Sequence, residues 1–367
     1  MHTRREFLAG AAALGAFGPL ARGAFAADGR RPLKFLFMSD HHIESDFVEY
    51  RAKGEVADVY TMWKPGNHAA VEKTYEFIND DPYCRDCDFA LFGGDQINTG
   101  YSARPVDMYA EKSNYFRTLD KLDLHRRTIG KAGDMDFTAD EWTVTGNLGA
   151  GRKPYKVYPR LPQSRVIAIQ GNHDTGVEEF YRDAAFTAGG VRFITFFADY
   201  VGLPPTPTSR FNSTAKISDR TIAFIETEMR KAKGNSSIRH IVLVSHWAIA
   251  DKSKDFHHPI IGACKENGMN RNRDRLLELC GKYGVRLMIN GHEHNGRYPV
   301  GQVGGLSDIN CGTLTAGKDS GAFAIVEIDD AQALFTVYSR AFAEERDGEV
   351  VFTATPRRLF EKKIPLI

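Results

Sequence analysis

The sequence has little of several features that would mark a specialised class of protein. Five cysteines in 367 residues are too few for a fold held together by disulfides, and the odd number leaves at least one unpaired. The 48 Lys and Arg residues nearly balance the 47 Asp and Glu residues, which excludes the strong basic bias of a dedicated nucleic-acid-binding protein. Hydrophobic residues make up 42% of the chain and charged residues 26%, so the composition also excludes a disordered chain.

The first 26 residues differ from the rest and predict a signal peptide. A charged start that contains Arg4-Arg5 and then Phe-Leu precedes an apolar run rich in Ala and Gly, and the small residues Ala24 and Ala26 fit a cleavage site. The arginine pair resembles the bacterial twin-arginine export signal. We therefore expect the twin-arginine export machinery as a partner and a periplasmic or secreted protein. The run is shorter than a membrane span, and no later segment reaches that length without charges, so we expect no stable membrane anchor.

Cys84 and Cys87 have the spacing of a redox pair. Redox thiols of this kind sit at a helix N-terminus, where the helix dipole lowers the pKa of the thiol. This pair instead precedes a predicted strand, so it is interpreted as a local disulfide or as two structural thiols.

Strand and helix patterns alternate along the chain and predict an α/β fold. Short apolar runs at 33–38, 88–92, 165–169, 239–244 and 285–289 are typical of buried strands. Helices are predicted after Asn67, between Ser218 and Gly234, and before Gly284. After residue 300, short strands at 322–328, 334–339 and 349–353 predict a second sheet that packs on the first. We therefore expect one domain over residues 27–367.

Polar clusters stand at the carboxyl ends of the five predicted buried strands. They are Asp40-His41-His42, Gly94-Asp95-Gln96, Gly171-Asn172-His173-Asp174, Ser245-His246 and Gly291-His292-Glu293-His294. Since ligands collect at the carboxyl ends of strands in α/β sheets, the clusters should converge on one crevice. Asp, Asn and His bind divalent cations of intermediate hardness, and a mixed oxygen and nitrogen set without thiolates favours a dinuclear hydrolytic site over a structural zinc.

In this order, the five clusters resemble the signature of the calcineurin-like metallophosphoesterase superfamily. The resemblance covers about residues 33–330. It implies a four-layer αββα sandwich, in which two mixed β-sheets are flanked by helices. It also implies two divalent metal ions, for which Mn, Fe and Zn all remain open, and a small-molecule phosphoester substrate.

The resemblance also assigns roles to individual residues. It implies that His173 faces the leaving-group oxygen and that Asp174 orients it. A metal-bound hydroxide would attack the phosphorus directly, without a covalent phospho-enzyme. The metal ligands implied are Asp40, His42 and His294 for the first ion, Asn172, His246 and His292 for the second, and Asp95 as the bridge.

Three positions depart from the pattern or stand apart from it. Asn98 occupies the place where purple acid phosphatases have a metal-bound tyrosine, which argues against ferric chemistry. Many relatives continue the fourth motif as His-Pro-Pro, whereas Trp247 and Ala248 follow His246, so we expect a different shape beside the second metal. His41 is expected to point away from the metals, either behind the ligands or into solvent.

The combined prediction is an exported, dinuclear metal-dependent phosphoesterase with a slight preference for phosphodiesters. That preference rests on the absence of clustered arginines near the motifs, which leaves no obvious clamp for a dianion. A phosphomonoesterase, such as a nucleotidase or an acid phosphatase, is the alternative within the same class. A non-catalytic periplasmic metal- or ligand-binding protein is the alternative from another class, and it predicts missing ligands or a replaced His173, neither of which is seen.

Overall fold

The computed structural model of the chain describes most residues after position 30. The described residues are 31–43, 66–98, 105–127, 136–144, 155–174, 177–202, 213–250, 261, 270–294, 296–315, 317 and 319–367. The predicted signal peptide, residues 1–26, lies outside them. No helix among them combines enough length and apolar character to cross a membrane.

The three predicted helices are present close to the predicted positions, and three further helices, α2 to α4, were not predicted. In the long helix that starts at Asp219, the Oγ of Ser218 accepts a hydrogen bond from the Thr221 N–H, and the helix ends just before Gly234, as the sequence predicts. The helices are α1 (Gly66–Asp80), α2 (Pro82–Arg85), α3 (Pro105–Leu119), α4 (Asp123–Arg126), α5 (Asp219–Lys233) and α6 (Asn270–Tyr283).

Most strands belong to two large mixed sheets. Sheet I has the order β19-β16-β15-β1-β2-β6, and sheet II has the order β13-β14-β12-β11-β8-β7-β3. The pairs β4–β5, β9–β10 and β17–β18 form small separate sheets. The strands are β1 (Leu33–Met38), β2 (Phe89–Phe92), β3 (Thr138–Ala139), β4 (Trp142–Val144), β5 (Tyr155–Val157), β6 (Val166–Ala168), β7 (Ala184–Ala188), β8 (Val191–Thr195), β9 (Asp199–Gly202), β10 (Ser213–Lys216), β11 (His240–Ser245), β12 (Leu287–Asn290), β13 (Val300–Val303), β14 (Leu306–Asn310), β15 (Phe323–Ile328), β16 (Gln332–Tyr338), β17 (Phe342–Arg346), β18 (Glu349–Ala354) and β19 (Arg358–Pro365).

The prediction that the strands at 322–328, 334–339 and 349–353 form the second sheet is wrong, because β15 and β16 belong to sheet I and β18 pairs only with β17. β15 pairs antiparallel with β1, from Leu33 opposite Ile328 to Met38 opposite Phe323, so β15, β16 and β19 extend sheet I. β11 and β12, predicted alongside β1, instead belong to sheet II. Sheet membership depends on long-range pairing, and a strand that is apolar along its whole length carries no pattern that reveals its neighbours.

The alternation of side chains along each central strand builds four layers. In β1, Phe35 and Phe37 point into the core between the two sheets, whereas Leu36 and Met38 pack in the cluster that includes Val71 of α1. β11 likewise sends alternate side chains into the inter-sheet core and into a third cluster, shared with α5 and α6. The αββα sandwich is therefore confirmed.

Cys84 and Cys87 are free, buried thiols. Cys84 lies in the single turn of α2, where the Asp81 carboxylate accepts hydrogen bonds from the N–H groups of Tyr83 and Cys84. Burial raises the pKa of both thiols, to about 12 for Cys87, which is opposite to what a redox pair requires. The structure therefore agrees with two structural thiols and not with a local disulfide.

Replacing Phe89 by Ala tests the inter-sheet core. The Phe89 ring is buried and lies 5.1 Å from the Phe35 ring centroid and 5.5 Å from that of Phe193. We expect the free energy of unfolding to fall by about 3–5 kcal/mol, because the truncation leaves a cavity. Phe352→Ala is the matched control, since that side chain is 46% exposed, and should change stability by about 0.5 kcal/mol or less. Equal losses in urea denaturation would contradict this description of the core.

Candidate metal centre

The five predicted clusters converge at one edge of the molecule, three from sheet I and two from sheet II. Within sheet I, the Asp40 N–H donates to the Gly94 carbonyl at 2.9 Å, and within sheet II the Gly291 N–H donates to the His246 carbonyl at 3.2 Å. The two sheets meet where the His292 N–H donates to the carboxylate of Asp40, at 3.0 Å from Oδ2. The crevice is therefore a junction between two sheets instead of the edge of a single open sheet.

Six of the seven predicted metal ligands, and His173, fall into three groups whose nitrogen and oxygen atoms lie within 4.8 Å of one another. The groups are Asp40 with His42 and His294, Asp95 with His246 and His292, and Asp95 with His42 and His173. Asp95 and His42 each belong to two of the three groups, so the two residues together connect all three.

The seventh predicted ligand, Asn172, lies in a segment held against Asp95. Asn172 is buried, and its neighbour His173 donates its backbone N–H to Asp95 Oδ1 at 2.8 Å. On the other side of Asn172, a Cβ on Gly171 would overlap the same carboxylate. The loop that carries Asn172 thus approaches the centre through Asp95.

Short distances join the imidazole nitrogens to the two carboxylates. His294 Nε2 lies 3.2 Å from Asp40 Oδ1, and His246 Nε2 lies 3.1 Å from Asp95 Oδ2. His42 Nε2 is 3.0 Å from His294 Nε2 and 3.7 Å from Asp95 Oδ2, so this ring lies between the two carboxylates. The nitrogens and oxygens thus face a common space, as the ligands of a cation do.

Three of the histidines are held through the ring nitrogen that points away from this space. The Nδ1 of His42 contacts Asn98 Oδ1 at 3.0 Å, and that of His246 contacts the Gly93 carbonyl at 2.8 Å. The Nδ1 of His294 contacts Thr315 Oγ1 at 3.3 Å. Such contacts select the tautomer that leaves Nε2 available to a metal. Sequence reasoning missed this role of Asn98 and Thr315, and a contact that needs the folded backbone leaves no spacing signal.

The backbone at the centre is strained. Of the eight non-glycine residues with positive φ in the described part of the chain, five are predicted metal ligands. Non-glycine residues rarely adopt this left-handed conformation, which persists where the surroundings impose it and is concentrated at functional sites. The five are Asp40, His42, Asp95, His292 and His294, with φ between 44° and 73°.

A family model for the calcineurin-like phosphoesterases matches residues 33–296, which is well over half of the chain. This chain belongs to the calcineurin-like phosphoesterase family. The match contains all five clusters and ends just after His294. Membership and the clustered Asp and His residues together support a metal-dependent phosphoesterase. No curated protein sequence matches the chain.

Solved structures with similar folds share very little sequence with this phosphoesterase. PhoD is 11% identical with a TM-score of 0.41, over 93% of this chain and 73% of that chain. Vps29 from Cryptosporidium parvum is 11% identical with a TM-score of 0.32, over 90% and 100%, and Vps29 from Chaetomium thermophilum is 8% identical with a TM-score of 0.33, over 91% and 100%. At these values the likeness carries no argument about the activity of this chain.

The charges at the centre suit a divalent cation. Burial would raise the pKa of both carboxyl groups, yet contact with His294 lowers that of Asp40, and contact with His246 lowers that of Asp95. In return, and against the effect of burial, Asp95 raises the pKa of His246 to about 9. The carboxylates thus favour positive charge on the imidazoles of His246 and His294, whereas burial lowers the pKa of His42 to about 3. A bound cation would supply that charge instead and release the protons, so the residues present fit a metal of the Mn, Fe or Zn type.

The Asp174 carboxylate contacts backbone groups, and in the described residues no contact joins it to the His173 imidazole that it was predicted to orient. The carboxylate accepts hydrogen bonds from the backbone N–H groups of Gln96 at 2.8 Å, Ile97 at 3.0 Å and Gly171 at 2.8 Å. His173 Nδ1 instead contacts the carbonyl of Asn98. Backbone donors leave no pattern in a sequence, so these partners of Asp174 could not be predicted. Asp174 ties the loop after β2 to the loop after β6.

His41 is fully buried behind the ligands and does not reach solvent. Of the two positions expected for it, the buried one is therefore correct. Its ring lies 4.6 Å from the ring centroid of Phe92 and 5.9 Å from that of Tyr115, in the layer between sheet I and the helices. Burial lowers the pKa of His41 to about 3, so the ring is neutral.

Gly171→Ala should disrupt the centre, because the new Cβ would overlap Asp95 Oδ1 and the backbone N of Asp95. We expect at least a tenfold loss of affinity for Mn²⁺ or Zn²⁺, measured by calorimetry on the metal-free protein. Gly281→Ala, in α6, is the matched control, since its Cβ would meet nothing within 4 Å, and it should bind metal like the unchanged protein. Unaltered affinity in Gly171→Ala would show that Asp95 does not hold the metal.

Proposed function

We propose that this chain is an exported hydrolase that cleaves phosphate esters with two divalent cations and prefers diesters to monoesters. The observation that carries the proposal is the sharing of Asp95 between two groups of possible metal ligands. One carboxylate that faces both groups is the arrangement needed to hold two cations close together. Dinuclear sites of this kind, with cations about 3.5–4 Å apart, occur in phosphatases and nucleases.

Two sets of ligands would each hold one cation, and Asp95 lies beside both, because it is grouped with His42 of the first set and with His246 and His292 of the second. Asp40, His42 and His294 form the first site, Asn172, His246 and His292 form the second, and Asp95 faces both. When bound, the cations would polarise the phosphoryl oxygens and lower the pKa of a water molecule. The protein itself supplies a fixed frame, because the positive-φ backbone and the Nδ1 contacts set each ligand before a substrate arrives.

His173 is placed to act on the leaving group. The contact between its Nδ1 and the Asn98 carbonyl leaves Nε2 on the other side of the ring, 4.0 Å from Asp95 Oδ2. The side chain is 14% exposed, more than His42 or His246, so its ring borders the open side of the centre. A protonated His173 can therefore donate to an alkoxide leaving group, a transfer that contributes about 10²–10⁴-fold to a rate.

The preference for diesters is inferred from the charges around the two carboxylates. In the described part of the chain, Asp40 and Asp95 form ion pairs with histidines alone. A monoester dianion benefits from an additional fixed cation such as an arginine fork, whereas a diester carries a single charge. A centre whose positive charge comes from two metals suits the diester.

The metal-loaded protein should hydrolyse bis-(p-nitrophenyl) phosphate with a higher kcat/KM than p-nitrophenyl phosphate when Mn²⁺ or Zn²⁺ is supplied. Asp95→Asn should abolish both activities, because the shared ligand loses its charge. A higher kcat/KM for the monoester would make the chain a phosphomonoesterase. No turnover of any phosphoester with any metal, by a protein that binds those metals, would make it a non-catalytic binding protein.

His173→Ala should lower kcat by about 10²–10⁴-fold and leave the metal content unchanged, because His173 serves the leaving group. The effect should shrink for esters with very acidic alcohols, which leave without a proton. His125→Ala is the matched control, since that half-buried ring lies on α4 against Ser164 and should not affect kcat. Loss of bound metal in His173→Ala would contradict the role of proton donor.

The proposal that the protein is exported rests on the predicted signal peptide, residues 1–26. Changing Arg4 and Arg5 to Lys should leave the protein in the cytoplasm, because the twin-arginine signal is a receptor-read address. Arg30→Lys with Arg31→Lys is the matched control, a second arginine pair that follows the predicted cleavage site, and it should be exported normally. Fractionation of bacterial cells gives the measurement. Unchanged export after the first pair is altered would exclude this route.

A further inference from the structure

The chain after His246 departs from the sequence of many relatives, and the structure shows what fills that place. The indole of Trp247 is fully buried and lies on the imidazole of His292, with ring centroids 4.1 Å apart and planes tilted by 34°. The ring of His246 stands nearly perpendicular to that of His292, at 75° and 5.0 Å. His292 is thus confined between two aromatic rings, with its Nδ1 3.2 Å from His246 Nε2.

A buried carboxylate holds the turn that carries Trp247. Asp308, on β14, is fully buried, and its Oδ2 accepts the N–H groups of Ile249 at 2.8 Å and Ala250 at 2.7 Å. A carboxylate that accepts two backbone N–H groups fixes them strongly, since charge-assisted hydrogen bonds are about twice as strong as neutral ones. Displacing the segment from Trp247 to Ala250 would therefore remove two hydrogen-bond donors from a buried carboxylate, which is unfavourable.

The same carboxylate reaches the strand that leads to His292. Asp308 Oδ1 accepts a hydrogen bond from the side-chain amide of Asn290, the last residue of β12. Asn310 donates to Asn290 Oδ1 at 3.0 Å and to the Gly291 carbonyl. Asp308 thus links the segment after His246 to the segment before His292.

We propose that Trp247 and Asp308 are positioning residues for the cation held by Asp95, His246 and His292, and that they set its affinity independently of the cation at Asp40, His42 and His294. Trp247 fixes the plane of the His292 ring, so that Nδ1 faces His246 and Asp95. Asp308 fixes the two segments that carry the histidines. The inference rests on the proposed function, because it assumes that these residues hold a metal.

The competing explanation is that Trp247 and Asp308 serve the core alone. Trp247 does belong to the hydrophobic cluster between sheet II and its helices. If these residues serve the core alone, substituting them should lower stability, and the variants that still fold should bind metal with unchanged affinity. A positioning residue changes one of two metal affinities, because partners behind metal ligands alter affinity by about 10–100-fold.

Zn²⁺ titration of the metal-free, full-length protein by calorimetry separates these explanations. We expect two binding steps in the unchanged protein. Trp247→Ala should weaken one step by at least tenfold and leave the other within twofold, and Trp247→Phe should recover most of the loss because it restores a flat ring. Asp308→Asn should weaken the same step. Asp319→Asn is the matched control, since Asp319 is exposed and pairs with Arg357, and it should change neither step.

Tryptophan emission gives a second measurement that needs no change at Trp247. With Trp63 and Trp142 replaced by Phe, Zn²⁺ should quench the emission of Trp247 with the saturation of a single step, because the stacked imidazole becomes electron-poor when it coordinates a metal. The proposal would be overturned by unchanged emission at full Zn²⁺ occupancy. It would also be overturned if the variants weaken both binding steps equally or weaken neither, or if the unchanged protein shows fewer than two steps. Two Zn²⁺ steps without phosphoester hydrolysis would instead contradict the proposed function and leave this inference standing.

Discussion

Two buried carboxylates, Asp40 and Asp95, impose the constraint on which the rest of the structure depends. Burying an ionised carboxylate is unfavourable unless hydrogen bonds and opposite charge compensate it. Here the compensation comes from sequence-distant groups, including the imidazoles of His246 and His294 and the backbone N–H of His292. Because Asp40 belongs to sheet I and the histidines follow strands of sheet II, the same contacts join the two sheets and build the metal centre.

The strained backbone at the centre also arises from bringing ligands of different strands together around these carboxylates. Ligands that follow neighbouring strands must turn sharply to face one point, and five of them do so with positive φ. Glycine is required where another backbone or side chain comes too close for any Cβ, as at Gly171 against Asp95 and at Gly291 against Ser39. The large inter-sheet core supplies the stability that keeps these conformations in place.

The sequence was sufficient for the buried strands that precede the polar clusters and for the ligand types, whereas it missed α3 and the β7–β8 pair and failed for long-range pairing. β1 has the predicted bounds, because a short apolar run followed by Asp40 is a local signal. The place of β15 beside β1 was missed, since pairing across nearly 300 residues leaves no periodic trace. The partners of Asp174 and the roles of Asn98 and Thr315 were missed for a related reason, because they involve backbone groups or contacts that exist only in the folded chain.

The central claim is that two cations share Asp95. It is tested most directly by anomalous X-ray scattering from crystals of the protein loaded with Mn²⁺. We predict two peaks about 3.5–4 Å apart, one beside Asp40 and His294 and the other beside His246 and His292, with the Asp95 carboxylate in contact with both. A single peak at full metal loading, or two peaks of which only one contacts Asp95, would contradict the claim.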